Sequence, residues 1–199
     1  MNLRQSQVTI RDLLKEDAKL VFDLRCDPRL HGMQYAPSKM ESAETLFAIM
    51  KPGPEIPITG FKCSAILVDG AFAGNISEAY SITNLGKPLI QLGWNLVPEF
   101  WGNGIMVLAI ERLLQKRFSK RQDIVFHAFV FSTNHRSIRV IEKLGFASTK
   151  LLFLEWLHHL YLTRGKKRVL KYWLNFDLWN SRANHDSALA IFETSGWNR

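Results

Sequence analysis

The sequence predicts an α/β (α+β) domain on one central sheet, and three observations carry that prediction. Two apolar alternating runs, Phe61–Val68 and Ala71–Ala79, are joined by Asp69-Gly70, a turn dipeptide suited to the two positive φ angles of a tight hairpin. After Pro98 the apolar period becomes helical, with Val107, Leu108, Ile110 and Leu114 recurring across Gly104–Phe118. Ile124–Phe131 is then an apolar run rich in β-branched and aromatic residues, too short for a buried helix and so a buried strand. Strands and helices mixed in this way belong to one sheet covered by helices.

The remaining elements follow in chain order. Val8 and Ile10 alternate with polar neighbours and predict a first strand. Glu16–Cys26, with Leu20, Phe22 and Leu24, reads as a helix stopped by Pro28, and Ser42–Met50 as a second carrying Leu46, Phe47 and Met50 on one face. Pro52, Gly53, Pro54 and Pro57 make Lys51–Pro57 a connector. It is not a domain boundary, because the short helices before it would make no core alone. A strand at Leu89–Val97 ends at Pro98, and Asn134–Leu144 is a helix closed by Gly145, a residue suited to the left-handed cap. Phe146–Leu152 and Val169–Phe176 complete the strands, while Phe153–Arg168 takes no assignment from its pattern. The expected division is one domain over 1–179 and a C-terminal extension over 180–199, which holds the apolar run Ala188–Phe192.

Composition narrows the class. The 199 residues are 47% hydrophobic and 22% charged, which fits a globular domain and excludes a disordered chain, a collagen-like repeat or a coiled-coil rod. The longest apolar run, Ile105–Ile110, is far short of the ~18 residues of a membrane span, and Met1–Asp12 lacks the apolar core of a signal peptide. A soluble cytoplasmic protein with no membrane partner is expected. Cys26 and Cys63 form no disulfide framework, and His158 and His159 lack partners at metal-ligand spacing, so no metal is expected. The net charge of +8 suggests a polyanion. It is concentrated in Lys116, Arg117, Lys120 and Arg121 and in Arg164, Lys166, Lys167, Arg168 and Lys171, which read as solvated helix ends and loops. No stacking motif or zinc knuckle accompanies them, so nucleic acid is not the expected partner.

Two stretches carry chemistry. In Trp94 to Met106 a strand feeds a glycine-containing turn and then the N-terminus of a long helix. Such a terminus exposes about four unpaired N–H groups and the positive end of the helix dipole, and glycines let an anion approach them. A tight turn with no ligand is the plain alternative. The stretch lacks the Gly-Lys-Ser/Thr of a P-loop and the third glycine of a dinucleotide fingerprint. In Asn134 to Phe146, Asn134 and Ser137 share one face of a helix's first turn, though Asn134 is equally a good N-cap.

With both motifs in place, the chain resembles the Gcn5-related N-acetyltransferase (GNAT) superfamily, and within it the ribosomal-protein N-terminal acetyltransferase (RimJ/RimL-like) branch. The resemblance runs from Val8 to about Trp179 and rests on Phe100-Trp101-Gly102-Asn103-Gly104 and on Asn134…Ser137…Glu142-Lys143-Leu144-Gly145-Phe146. The family's Arg/Gln-x-x-Gly-x-Gly/Ala signature falls on Trp101, Gly102, Asn103, Gly104, Ile105 and Met106. Gly104 is kept, Trp101 replaces the basic or amide residue, and Met106 replaces the small one, where it either crowds the pyrophosphate or points into the core.

The resemblance implies a mixed, mostly antiparallel sheet that splays near a bulge between its fourth and fifth strands. Acetyl-CoA is the implied co-substrate. Its pantetheine arm would lie on the backbone of Asn95, Leu96 and Val97, its pyrophosphate on Trp101–Met106, and Asn134 and Ser137 would face the arm and the sulfur. The implied reaction is direct attack of a primary amine, on a protein N-terminus or a small molecule, on the thioester. A neutral-pH amine is largely protonated and needs a base, for which Glu155 and Glu78 are the candidates. A backbone N–H near Leu96 would stabilise the developing oxyanion, and Ser137 would serve the leaving thiolate. Two other readings stay open: a CoA-binding regulatory protein without catalysis, and a basic RNA- or ribosome-binding module. Trp156, Tyr161, Tyr172, Trp173 and Trp179 crowd the region where such relatives place substrate or dimer surfaces, so a homodimer is a possible state. The fold does not choose the amine, although the basic charge is a poor match for a polycation.

Overall fold

The computed structural model describes residues 7–30, 33, 42–50, 60–83 and 85–182. The expected connector Lys51–Pro57 and the run Ala188–Phe192 lie outside these residues, as do the side chains of Leu46, Phe47 and Met50. The strands are β1 (Val8–Asp12), β2 (Gly60–Val68), β3 (Ala71–Ile82), β4 (Pro88–Leu96), β5 (Val125–Phe131), β6 (Ala147–Thr149) and β7 (Val169–Leu174). They form one sheet in the order β1-β2-β3-β4-β5-β7-β6. Every neighbouring pair is antiparallel except β4–β5, which is parallel. The helices are α1 (Asp17–Cys26), α2 (Ala43–Met50), α3 (Ile105–Phe118), α4 (His135–Lys143) and α5 (Phe153–Thr163), and residues 176–182 are also helical.

The strand alternation sorts the two faces. Ile66, Val68, Ile76, Ile90, Leu92, Phe126 and Ala128 meet Ile105, Met106, Ile110, Leu114 and Phe118 of α3 in the main core, which Ile141 of α4 also enters. On the opposite face Cys63 and Ala65 pack with Leu13 and with Val21 of α1 in a smaller cluster. The hairpin turn forms as its residues require, with Asp69 at φ 50° and Gly70 at φ 83°.

Three expectations change. The segment left without assignment contains α5, and the expected strand Phe146–Leu152 is shorter, β6 ending at Thr149 with irregular chain before the helix begins at Phe153. The cause is local: the Glu155 carboxylate accepts the Leu152 N–H at 2.8 Å and starts a helix there. The expected strand Val169–Phe176 stops at Leu174, because Asn175 Oδ1 accepts the Leu178 N–H at 3.0 Å and caps the helical run that follows. Arg182 in that run donates to the Lys143 carbonyl at 2.5 Å. The expected bulge in the fourth strand is not there: β3–β4 pairing is regular from Gly74↔Leu96 to Ile82↔Pro88, and the register shift lies in β2–β3 at Ile66/Leu67. Gly74 beside it has no room for a side chain, since a Cβ would collide with the Asn95 carbonyl oxygen.

Candidate active site

β4 and β5 stay paired only over Leu89↔Val125, Ile90↔Phe126 and Gln91↔His127. Beyond Gln91 the two strands part, and a cavity of ≈ 560 Å³ opens through the sheet between them. The Val97 N–H donates to the Ala73 carbonyl at 2.8 Å, which sets the phase of the β3–β4 ladder. In an antiparallel ladder alternate residues turn their backbone to the same side. Residues 97, 95 and 93 therefore face β3, while Leu96 and Trp94 turn their backbone groups toward the opening. The backbones of Asn95 and Val97, expected to hold the arm, face β3 instead; Asn95 still lines the cavity, and Val97 does not. The Leu96 carbonyl accepts the Trp101 indole N–H at 2.7 Å, leaving the Leu96 N–H as the donor at this edge.

The floor is the N-terminus of α3. Gly104 is its N-cap at φ 74°, and no side chain caps it. A Cβ built at Gly102 or Gly104 meets nothing within 4 Å, so the space before the helix is open. Ile105 and Met106 are among the residues lining the cavity, and both are buried in the main core, Met106 at 5% exposure. The bulky residue at this position thus points away from the cradle. Asn103 does not face it: its amide folds back on the Trp101 and Phe100 carbonyls at 2.9 and 3.3 Å.

The two sequence motifs meet in space. The Arg136 guanidinium sits 4.5 Å from the centroid of the Trp101 ring, joining α4 to the turn. Arg136, Arg139, Val140 and Lys143 of α4 line the cavity with Ser137. The basic stripe was not singled out from the sequence, although its i, i+3, i+7 spacing on one helix was readable there. Ser137 is half-buried and its hydroxyl makes no hydrogen bond among the described residues. Asn134 behaves as a cap: its Oδ1 accepts the Ser137 N–H at 3.1 Å and its Nδ2 donates to the Met33 carbonyl at 3.1 Å. Asn134 also lines the cavity, and each of its two polar atoms keeps one further hydrogen-bonding position beyond the cap.

Neither carboxylate expected as the base lines the cavity. Glu78 points to the α3 face, 1% exposed, where it accepts Arg117 Nε and Nη2 at 2.8 and 2.7 Å and the Tyr80 hydroxyl at 2.9 Å. Glu155 is held by the Leu152 N–H and by Lys171 Nζ at 2.5 Å. Burial works against its charge, but Lys171 and the Leu152 N–H outweigh it and keep the carboxyl below the usual range. Both expectations are corrected for one reason: each carboxylate is held by fixed donors away from the cavity lining.

The far end of the cavity, on the α1 side of the sheet, is lined by Arg25, Phe61, Asn75, Ser77, Gln91, Phe129 and His159. Asn75 Oδ1 is buried without a partner among the described residues. His159 packs on Phe129 at 4.5 Å between ring centroids. Burial, reinforced by His158, pushes its pKa below the usual histidine value. Among the described lining residues there is no Asp or Glu, and His159 is the side chain able to accept a proton near neutral pH. Among the described residues, no helix is long and apolar enough to cross a membrane.

The model of the GNAT acetyltransferase domain matches residues 7–147. Solved structures share the fold. The ribosomal L7/L12 α-N-protein acetyltransferase RimL, in complex with coenzyme A, superposes with a TM-score of 0.61 at 17% identity, covering 86% of this chain and 95% of that one. Spermidine N-acetyltransferase from Vibrio cholerae, in complex with CoA and spermine, gives 0.66 at 14%, covering 87% and 98%. The acetyltransferase yncA from Salmonella typhimurium, with acetyl-CoA, gives 0.58 at 17%, covering 85% and 94%.

Proposed function

Because the chain belongs to the GNAT acetyltransferase family, we propose that it acetylates a primary amine with acetyl-CoA in the cavity between β4 and β5. One observation carries the reading: the strands part directly above a helix N-terminus that no side chain caps. When bound, acetyl-CoA supplies an activated acetyl thioester. The N–H groups of Ile105, Met106 and Val107, the first of α3, fit a pyrophosphate, with Gly102 and Gly104 keeping its approach open. Arg136, Arg139 and Lys143 supply charge for the remaining phosphate. The Trp94 and Leu96 backbone offers an unpaired strand edge to the amide-bearing arm.

The Leu96 N–H is the donor for the acetyl oxygen, and the Ser137 hydroxyl serves the departing sulfur. The amine enters from the α1 side, past Arg25, Phe61 and Gln91, and meets the unpaired Asn75 oxygen. His159, neutral at physiological pH, takes its proton directly or through water. The absence of carboxylates from the described lining favours a singly charged amine, such as a protein α-amine, over a polycation. The domain expected over 1–179 acts as one unit together with the helical run to Arg182 that bonds it, the rest of 180–199 is an extension, and the setting is the cytoplasm. The test is release of free CoA thiol from acetyl-CoA with a panel of peptides, amino acids and polyamines. Thiol release that depends on a peptide or monoamine supports the reading, and binding of acetyl-CoA with no release for any amine supports a regulatory CoA-binding protein instead.

A further inference from the structure

The chain leaves the cavity wall at His159 in α5 and returns to it at Val169, where β7 begins. Between them stand Arg164, Lys166, Lys167 and Arg168, joined only by Gly165. No Asp or Glu occurs from Trp156 to Leu174, so this part of the chain carries no acid of its own to offset them. The fold holds the segment beside the opening. Val169 pairs with Phe131 at the end of β5, and the Ser132 N–H donates to the Arg168 carbonyl at 2.9 Å. Arg164 ends α5 in the left-handed conformation at φ 51°, and the Gly165 N–H closes on the Leu160 carbonyl at 2.9 Å. Lys167 lies over the ring of Phe131, another lining residue, with Nζ 4.6 Å from its centroid. Arg164, Lys166 and Arg168 are exposed, and none of them makes an ion pair among the described residues.

Uncompensated charge at the rim of a site attracts ligands of the opposite sign. On the reading that the cavity takes an amine acceptor, we propose that residues 164–168 dock an acidic stretch of the polypeptide whose N-terminal amine enters it. Lys166 and Arg168 are then determinants of acceptor choice. The loop continues from the helix that carries His159, at the acceptor end, whereas the cofactor's phosphates fall to α3 and α4 on the other side of the sheet. Reach agrees with a peptide. Arg164 stands five residues from His159, about 7.5 Å along a helix axis. That is the length of about two to three extended residues, so side chains from about the fourth residue of a bound peptide come level with the loop. Nucleic acid fits less well, because it brings no aliphatic amine to the cavity and the loop has no aromatic side chain on which a base could stack.

The experiment gives the full chain three peptides that share their first three residues and continue with Glu, Ser or Lys. Docking is read by fluorescence anisotropy of labelled peptide, and turnover by thiol release from acetyl-CoA. The Glu peptide is expected to exceed the Ser peptide at least tenfold in affinity and in kcat/KM, with the Lys peptide below both. Raising salt from ~0.1 M to ~1 M shortens the screening length from ~10 Å to ~3 Å and is expected to erase the difference. Lys166→Glu and Arg168→Glu are each expected to cut the preference at least threefold and to leave acetyl-CoA affinity unchanged. Lys87→Glu makes the same change in net charge at the end of β4 away from the cavity, and is expected to keep the preference. Equal binding of the three peptides, or a preference that Lys87→Glu reduces as much as the loop variants do, overturns the proposal. So does a single-stranded RNA that binds more tightly than the Glu peptide and is released by Lys166→Glu, which would assign the loop to nucleic acid. A protein that docks the Glu peptide on this loop but releases no thiol keeps the docking surface and overturns acetyl transfer. One that acetylates all three peptides equally does the reverse.

Discussion

Single residues decide which groups can do chemistry here. Glu78 was a reasonable candidate base from its place on the hairpin, but side chains alternate along a strand, and position 78 falls on the face of Ile76 and Tyr80 rather than that of Asn75 and Ser77. Its pairing with Arg117 makes it structural. Glu78→Gln leaves a buried guanidinium without its counter-charge, and unfolding in urea should show a loss of about 3–5 kcal/mol while kcat of the folded enzyme is unchanged. His159 has the opposite signature. Burial lowers its pKa from 6.5, and the neutral ring is the working form, so activity is lost as pH falls through that lowered value and is independent of it above. His159→Gln should lower kcat about 100-fold and remove the acid limb of the kcat/KM profile, with little change in melting. An acid limb that persists in the variant would assign the base elsewhere. Trp101 and Met106, the two departures from the family signature, are both accommodated: the cation absent from position 101 stands at Arg136 above the indole ring, and the Met106 side chain is in the core.

At the scale of elements, the sequence disclosed what is local and missed what is not. The Asp-Gly hairpin, α3 and the glycine closing α4 were legible because turn chemistry and apolar period act over a few residues. The lengths of the last strands were not, since each is cut short by a side chain, Glu155 or Asn175, that caps a following helix. The open strand edge was foreseen only through the family resemblance, and the assignment of its backbone to residues 94 and 96 needed the ladder phase, which Val97 reveals. The basic stripe on α4 acts as one element. Arg139→Ala combined with Lys143→Ala should weaken acetyl-CoA binding by calorimetry at least tenfold and flatten its salt dependence, because charge-assisted phosphate bonds contribute about 1.5–3 kcal/mol each and are screened by salt. Unchanged affinity would remove the stripe from the phosphate site. Helix α5 escaped the sequence reading because its apolar residues, Phe153 and Tyr161 among them, are exposed and face away from the core that the pattern would have been matched to.

For the whole molecule, the central claim is that the opening between β4 and β5 above α3 is an acetyl-CoA site. The net charge of +8 contributes long-range attraction to any phosphorylated ligand, so a measurement must separate the site from the field. Thermal unfolding with acetyl-CoA, and with ATP as an equally charged control, does this. Ligand at 100 times its Kd stabilises the fold by about 2.7 kcal/mol. For a chain of this size that corresponds to a rise of roughly 5–10 °C in Tm. The account predicts that rise with acetyl-CoA, little or none with ATP, and its loss in Gly104→Val, whose side chain would fill the open space before α3. No rise with saturating acetyl-CoA, or an equal rise with ATP that survives Gly104→Val, would contradict it.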